Sequence, residues 1–167
     1  MAYCNIDNSR VLVCSGYLDI AKPVVQDWLS KVVKYAEDKD SELLIGVDTN
    51  CHSNLFGDET NKRGYDLEEF IIENGLAVEN TGTIPTFETI RANRRMATCI
   101  DATLTRDLGD KISNWKVDQT YNGSDHNTIT FEIETSEKRR LKAETGKKGI
   151  GEHLLVESEA KNSMNQI

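Results

Sequence analysis

An aspartate next to a histidine, Asp125-His126, stands just before a strand-like run, Thr128-Ile129-Thr130-Phe131-Glu132-Ile133. A second polar pair, Asp48 and Asn50, closes a continuous apolar run, Leu43-Leu44-Ile45-Gly46-Val47. A third carboxylate, Asp101, lies in the apolar stretch Ala97–Leu104, where a charge is costly unless it has a partner. Carboxylates can hold a cation, and an imidazole gains or loses a proton near neutral pH. Side chains at alternate strand positions point the same way, so Asp48 and Asn50 are expected to project together. Hydrolysis of a phosphodiester needs these parts: a cation against developing charge, a base for water, and donors around the phosphate. Asp48 and Asp125 are the ligand or base candidates, and such hard oxygen donors favour Mg²⁺ or Mn²⁺. Asn50 offers an amide N–H, His126 moves the proton, and Asp101 holds the imidazole in one tautomer. Taken singly, each is also an ordinary turn or cap residue, since Asp and Asn bond readily to nearby backbone. Tyr17 by itself reads as a core or rim aromatic. Their common placement at strand edges is what makes the set specific.

The elements that would carry these residues follow from periodicity. Arg10–Ser15 reads as a first strand ending at Gly16-Tyr17. Pro23 opens a helix whose apolar residues, Val24, Val25, Trp28, Leu29, Val32, Val33 and Ala36, recur at helical spacing. The run Leu43–Val47 suits a strand covered on both faces. A polar loop over residues 49–64 leads to a second helix, Tyr65–Asn74, stopped by Gly75. Further strands are expected at Leu76–Asn80, Thr86–Ile90, Ala97–Leu104, Asn114–Val117 and Thr128–Ile133. Two strand–helix repeats followed by several strands describe an α/β layered domain.

The chain of 167 residues fits one domain with a real core, here placed at residues 1–134. Residues 135–167, rich in Lys, Glu, Gly, Ser and Asn, read as a polar, disordered tail. Four dispersed cysteines, Cys4, Cys14, Cys51 and Cys99, form no C-x-x-C pair, which speaks against zinc and suits a reducing compartment. With no signal peptide and no apolar run long enough for a bilayer, an intracellular protein of nucleus or cytoplasm, off the membrane, is expected. The net charge of −8 argues against a sequence-independent nucleic-acid binder held by phosphate contacts. Residues 1–133 carry 13 Lys/Arg against 22 Asp/Glu, and 134–167 carry 7 against 6. Basic residues therefore matter where they cluster, at Arg91, Arg94 and Arg95.

The segment Gly46-Val47-Asp48-Thr49-Asn50-Cys51-His52 resembles the "GDFNAH" strand of the endonuclease/exonuclease/phosphatase superfamily. More closely, the chain resembles the endonuclease domain that precedes reverse transcriptase in non-LTR retrotransposons. Asn61-Lys62-Arg63-Gly64, Leu67–Phe70 and Asn74-Gly75-Leu76 are similar to "NxRG…L.EF…NGL". Asn80-Thr81-Gly82 with Pro85-Thr86-Phe87 is similar to "N.G..PTF", Cys99–Leu104 to "SxIDLTL", and Ser124-Asp125-His126 to "SDHxxI". These motifs run in the family's order over about residues 10–133.

The resemblance implies a two-sheet α/β sandwich of that superfamily, truncated to roughly its second half. It implies Mg²⁺- or Mn²⁺-dependent nicking of DNA that leaves a 3′-hydroxyl able to prime reverse transcription. Asp48 and Asn50 would position water and phosphate, Asp101 would orient His126, and Asp125 would hold the metal. Tyr17 would contact the phosphate, Thr86 and Ser124 would touch the DNA backbone, and His52 would brace its loop. The family's upstream half supplies an Asn and a metal-binding Glu. Neither is expected before Arg10, and Glu37, Glu42, Glu59, Glu68 and Glu69 fall on segments assigned elsewhere. The expectation is therefore weak or absent turnover by this chain, together with an uncovered sheet face open to self-association. Thr49, where the family has Phe, is expected to reduce packing behind the site. Partners implied are DNA and a reverse transcriptase domain in the parent polyprotein. Two alternatives share the fold: a non-catalytic remnant or binding module, and a phosphatase acting on inositol lipids or sphingomyelin.

Overall fold

Alternation in the first strand is realised in both directions. The computed structural model describes residues 1–136, and the tail expected over 135–167 lies outside the described residues from 137 on. Strand β2 (Ser9–Tyr17) turns Leu12 and Cys14 to one face and Val11 and Val13 to the other. It is preceded by a strand not anticipated from sequence, β1 (Ala2–Ile6), paired antiparallel to it across a turn in which Asp7 has φ 53°. The apolar signal of β1 is weak because it lies at a sheet edge. Its main packing residue is Tyr3, whose ring sits 3.6 Å beneath the Arg10 guanidinium.

Helix α1 (Asp27–Asp38) buries Leu29, Val32, Val33 and Ala36. It starts four residues after the expected Pro23, because Gln26 is still extended (ψ 149°) and Asp27 supplies the negative charge favoured in a first turn. Strand β3 (Glu42–Asp48) lies parallel to β2, with Tyr17 opposite Asp48. Helix α2 (Lys62–Glu73) begins earlier than expected because the Asn61 side chain caps it, accepting the Gly64 N–H at 2.7 Å. Strand β4 shrinks to Ala77–Val78.

The single strand expected over Ala97–Leu104 is two. β5 (Phe87–Arg91) and β6 (Arg94–Thr98) form their own hairpin, and β7 (Asp101–Arg106) joins the main sheet. The break falls at Cys99-Ile100, where backbone bonds are diverted to side chains: the N–H groups of Ile100 and Asp101 both donate to the Thr86 hydroxyl. The chain closes with the hairpin β8 (Ile112–Asp118) and β9 (Thr128–Ile133).

The main sheet has the order β1-β2-β3-β7-β4. Its first face, with Leu43, Ile45, Val47, Ala102 and Leu104, packs against α1 through Leu29, Val32 and Val33 and against α2 through Leu67, Phe70 and Ile71. On the second face Val11 and Leu44 meet Ile112, Phe131 and Ile133, and Trp115 Nε1 donates to Thr103 Oγ1 at 3.0 Å. Beyond that hairpin this face is open at Ser15 and its neighbour Gly46, both exposed. This strip carries the small residues Ser15 and Gly46, with the exposed Tyr17 at its end. No helix among the described residues is long and apolar enough to cross a membrane.

Candidate active site

Antiparallel pairing of β3 and β7 places Asp48 directly opposite Asp101. Like charges in that position repel, so the pairing asks for a cation or a proton. His126 lies against both: its Nδ1 is 3.0 Å from Asp101 Oδ2 and its Nε2 is 3.8 Å from Asp48 Oδ2. Ligand atoms of Asp48, Asp101 and His126 all fall within 4.8 Å of one another, the only such group among the described residues. Two carboxylates and an imidazole fit a divalent cation. Burial pushes the Asp48 carboxyl up from its usual range, and the Asp101 charge adds to that shift. Hydrogen bonding of Nδ1 to Asp101 leaves Nε2 of a neutral ring as the atom that takes a proton or binds a cation.

The histidine is held from several sides. Its N–H donates to Ser124 Oγ at 3.0 Å, and its carbonyl accepts from Asn122 Nδ2. Its ring meets Phe87 edge-on, with centroids 5.0 Å apart. Ser124 therefore works on the backbone of His126. Thr86, expected at the DNA, is 1% exposed, and its hydroxyl accepts two backbone N–H groups. It fixes the start of β7, and so Asp101, from behind the site. Burial there leaves no surface for a nucleic acid.

Asn50 departs from the strand alternation expected of it. The strand ends at Asp48 and Asn50 takes φ 47°, so its N–H donates to Asp48 Oδ1 at 3.0 Å and its Nδ2 to the Leu18 carbonyl at 3.2 Å. Thr49 is fully buried and its hydroxyl donates to the Ile100 carbonyl at 2.7 Å, tying β3 to the start of β7. The loss of packing expected of a Thr there is thus offset by a hydrogen bond. Tyr17 is 56% exposed beside Asp48. Asp125 is also exposed and falls outside the group of three, while its carbonyl accepts the Glu88 N–H at 2.7 Å. His52 braces its loop: its Nδ1 lies 2.8 Å from Asp58 Oδ2, which also accepts the Cys99 N–H.

Glu88 was not among the residues expected from sequence. Its carboxylate accepts from Arg95, Gln119 and Asn127, joining the β5–β6 hairpin to the segment that carries His126. The Arg95 guanidinium holds that carboxyl below its usual range. A lone acid within an arginine cluster is the signal that could have found it. That hairpin turns through Ala92 and Asn93, both at positive φ, and exposes Arg91, Arg94 and Arg95.

The sequence pattern of the endonuclease–reverse transcriptase family matches residues 11–130. The chain belongs to that family. Among solved structures it is similar to the endonuclease domain of TRAS1, a telomere-specific non-LTR retrotransposon, at 34% identity and a TM-score of 0.63. The match covers 72% of this chain and 56% of that domain, so the chain spans little more than half of its relative. None of the curated proteins matches significantly. The fold is accordingly that of the endonuclease/exonuclease/phosphatase class, present over the part that carries Asp48, Asp101 and His126.

Proposed function

We propose that this chain carries a Mg²⁺- or Mn²⁺-dependent phosphodiesterase site that nicks DNA, derived from a non-LTR retroelement whose parent protein also has a reverse transcriptase domain. The observation that carries the reading is the Asp101–His126–Asp48 arrangement in a chain of this family. A divalent cation held by Asp48 and Asp101, with Asp125 as an outer oxygen, would neutralise charge on the phosphate and acidify water, and would leave His126 Nε2 free. Asp101 keeps the His126 ring in one orientation, so that Nε2 exchanges a proton with the attacking water or the leaving oxygen. Asn50 donates its amide to a phosphate oxygen, and Tyr17 borders the phosphate from the end of β2. Arg91, Arg94 and Arg95 offset an otherwise acidic surface by meeting backbone phosphates.

Turnover by these 167 residues is slow in this reading, since two inner carboxylates are a lean ligand set for a hard cation. The chemistry of the product tests the assignment. Hydrolysis of this type leaves a 3′-hydroxyl and a 5′-phosphate, so nicks formed in Mn²⁺ should be sealed by DNA ligase and extended by a polymerase without prior treatment. Nicks that resist both enzymes until a 3′-phosphate is removed would refute it.

A further inference from the structure

The motif Asn61-Lys62-Arg63-Gly64 has so far explained only the start of α2. Asn61 caps the helix, and a Cβ on Gly64 would lie 1.9 Å from the His52 carbonyl oxygen. The first turn of α2 is thus pressed against the loop that follows Asn50. From this fixed base the Arg63 side chain reaches a segment more than forty residues earlier. Its Nη1 donates to the Lys22 carbonyl at 2.5 Å, and its Nη2 to the carbonyls of Asp19 at 3.0 Å and Leu18 at 3.4 Å. Its Nε is buried with no partner. An unpaired buried donor is costly, so the guanidinium is held here by what its other nitrogens bind.

The bound segment begins at the site. Leu18 follows Tyr17, and its N–H donates to the Asp48 carbonyl at 2.8 Å. Its own carbonyl accepts both from Arg63 and from the Asn50 side-chain amide, the latter at 3.2 Å. While that bond persists, one of the two amide hydrogens that Asn50 could offer a phosphate is engaged. A guanidinium already aimed at the same carbonyl can take it over when Asn50 turns away.

We propose that Arg63 is a positioning residue for the site. Its fork clamps the Leu18–Lys22 segment, fixing Tyr17, and it acts as the standby donor that lets Asn50 leave the Leu18 carbonyl for substrate. A lysine cannot do this, because its donors sit on one nitrogen, whereas Arg63 reaches Lys22 from Nη1 and Leu18 and Asp19 from Nη2. The clamp stands on the geometry alone; its catalytic consequence rests on the phosphodiesterase reading.

The test compares wild type with Arg63→Lys and Arg63→Ala in the full chain, each shown to be folded by circular dichroism. NMR without metal or DNA follows hydrogen exchange at the Leu18 amide and the side-chain amide signal of Asn50. Loss of one charge-assisted bond corresponds to about tenfold faster exchange. That change is expected at Leu18 in both variants, with a shifted Asn50 signal and unchanged protection in β3 and the body of α2. Where nicking is measured, Arg63→Lys should lower kcat about tenfold with KM unchanged, and methylguanidinium should restore part of the loss in Arg63→Ala. Unaltered exchange and an unaltered Asn50 signal would overturn the clamp. Faster exchange with unchanged kcat would overturn its role in positioning. If the wild type does not nick, the hydrolase reading fails while the clamp is still decided by exchange and the Asn50 signal.

Discussion

Replacing Asp48 with Asn should make the metal-free protein more stable, although it removes a residue of the proposed site. Asp48 and Asp101 face each other across β3 and β7, with ligand atoms within 4.8 Å. Coulomb's law at that separation gives about 0.9 kcal/mol of repulsion at the permittivity of water and about 3.5 kcal/mol at an effective value of 20. Each carboxylate side chain keeps 18% of its surface exposed, and His126 partly compensates. The lower end, about 1 kcal/mol, is therefore the working figure. Asparagine retains an oxygen for the Asn50 N–H, so that hydrogen bond survives. For a domain of this size 1 kcal/mol corresponds to about 3 °C in Tm.

The effect has a defined pH dependence. The folded-state pKa of Asp48 is raised, so the folded protein binds its proton more tightly than the unfolded chain. Stability contributed by that proton is fully present below the ordinary carboxylate range and is lost as pH rises through the elevated value. The advantage of Asp48→Asn should thus appear above that value and vanish below about pH 4. Saturating Mn²⁺ should invert the ranking: a cation at one hundred times its Kd adds about 2.7 kcal/mol to the wild type and much less to the variant. Thermal melts in EDTA and in Mn²⁺, at two pH values, read all of this. A variant less stable in EDTA, or one stabilised by Mn²⁺ as much as the wild type, would refute the reasoning.

Three further outcomes follow from the same contacts. Asp101→Asn removes the charge that orients His126 Nδ1 and should lower any nicking rate by about 10³- to 10⁴-fold with little change in DNA affinity, measured by single-turnover kinetics against fluorescence anisotropy. Thr86→Val leaves the buried N–H groups of Ile100 and Asp101 without an acceptor and should cost about 2–4 kcal/mol in urea unfolding. Gly64→Ala drives a Cβ into the His52 carbonyl and should cost more than about 2 kcal/mol in the same assay, because the obstructing atom is backbone and cannot swing aside.

Much of this was legible because the strongest patterns coincide with the most buried elements. Leu43–Val47, the apolar stripe of α1 and the Leu67–Phe70–Ile71 face of α2 are core on both readings. The pairing of Asp101 with His126 was also accessible, since a carboxylate in an apolar run needs a partner. Misreadings arose where side chains replace backbone partners. Thr86 splits Ala97–Leu104 into two strands by accepting from Ile100 and Asp101, and periodicity carries no record of such a bond. Asn50 leaves the alternation because a left-handed residue ends β3. Strand β1 was missed because an edge strand with one covered face shows little apolar contrast. Arg63 acts through contacts made over more than forty residues of sequence, and spacing cannot reveal those.

The most direct test of the central claim is a supercoiled-plasmid nicking assay in Mg²⁺ and in Mn²⁺, run with wild type, His126→Ala and Asp48→Ala, all shown to be folded. Slow, cation-dependent single-strand nicking that disappears in EDTA and in both variants is the predicted result. Nicking that persists in His126→Ala, or folded wild-type protein with no cation-dependent nicking above that variant, would contradict a phosphodiesterase site built on Asp48, Asp101 and His126.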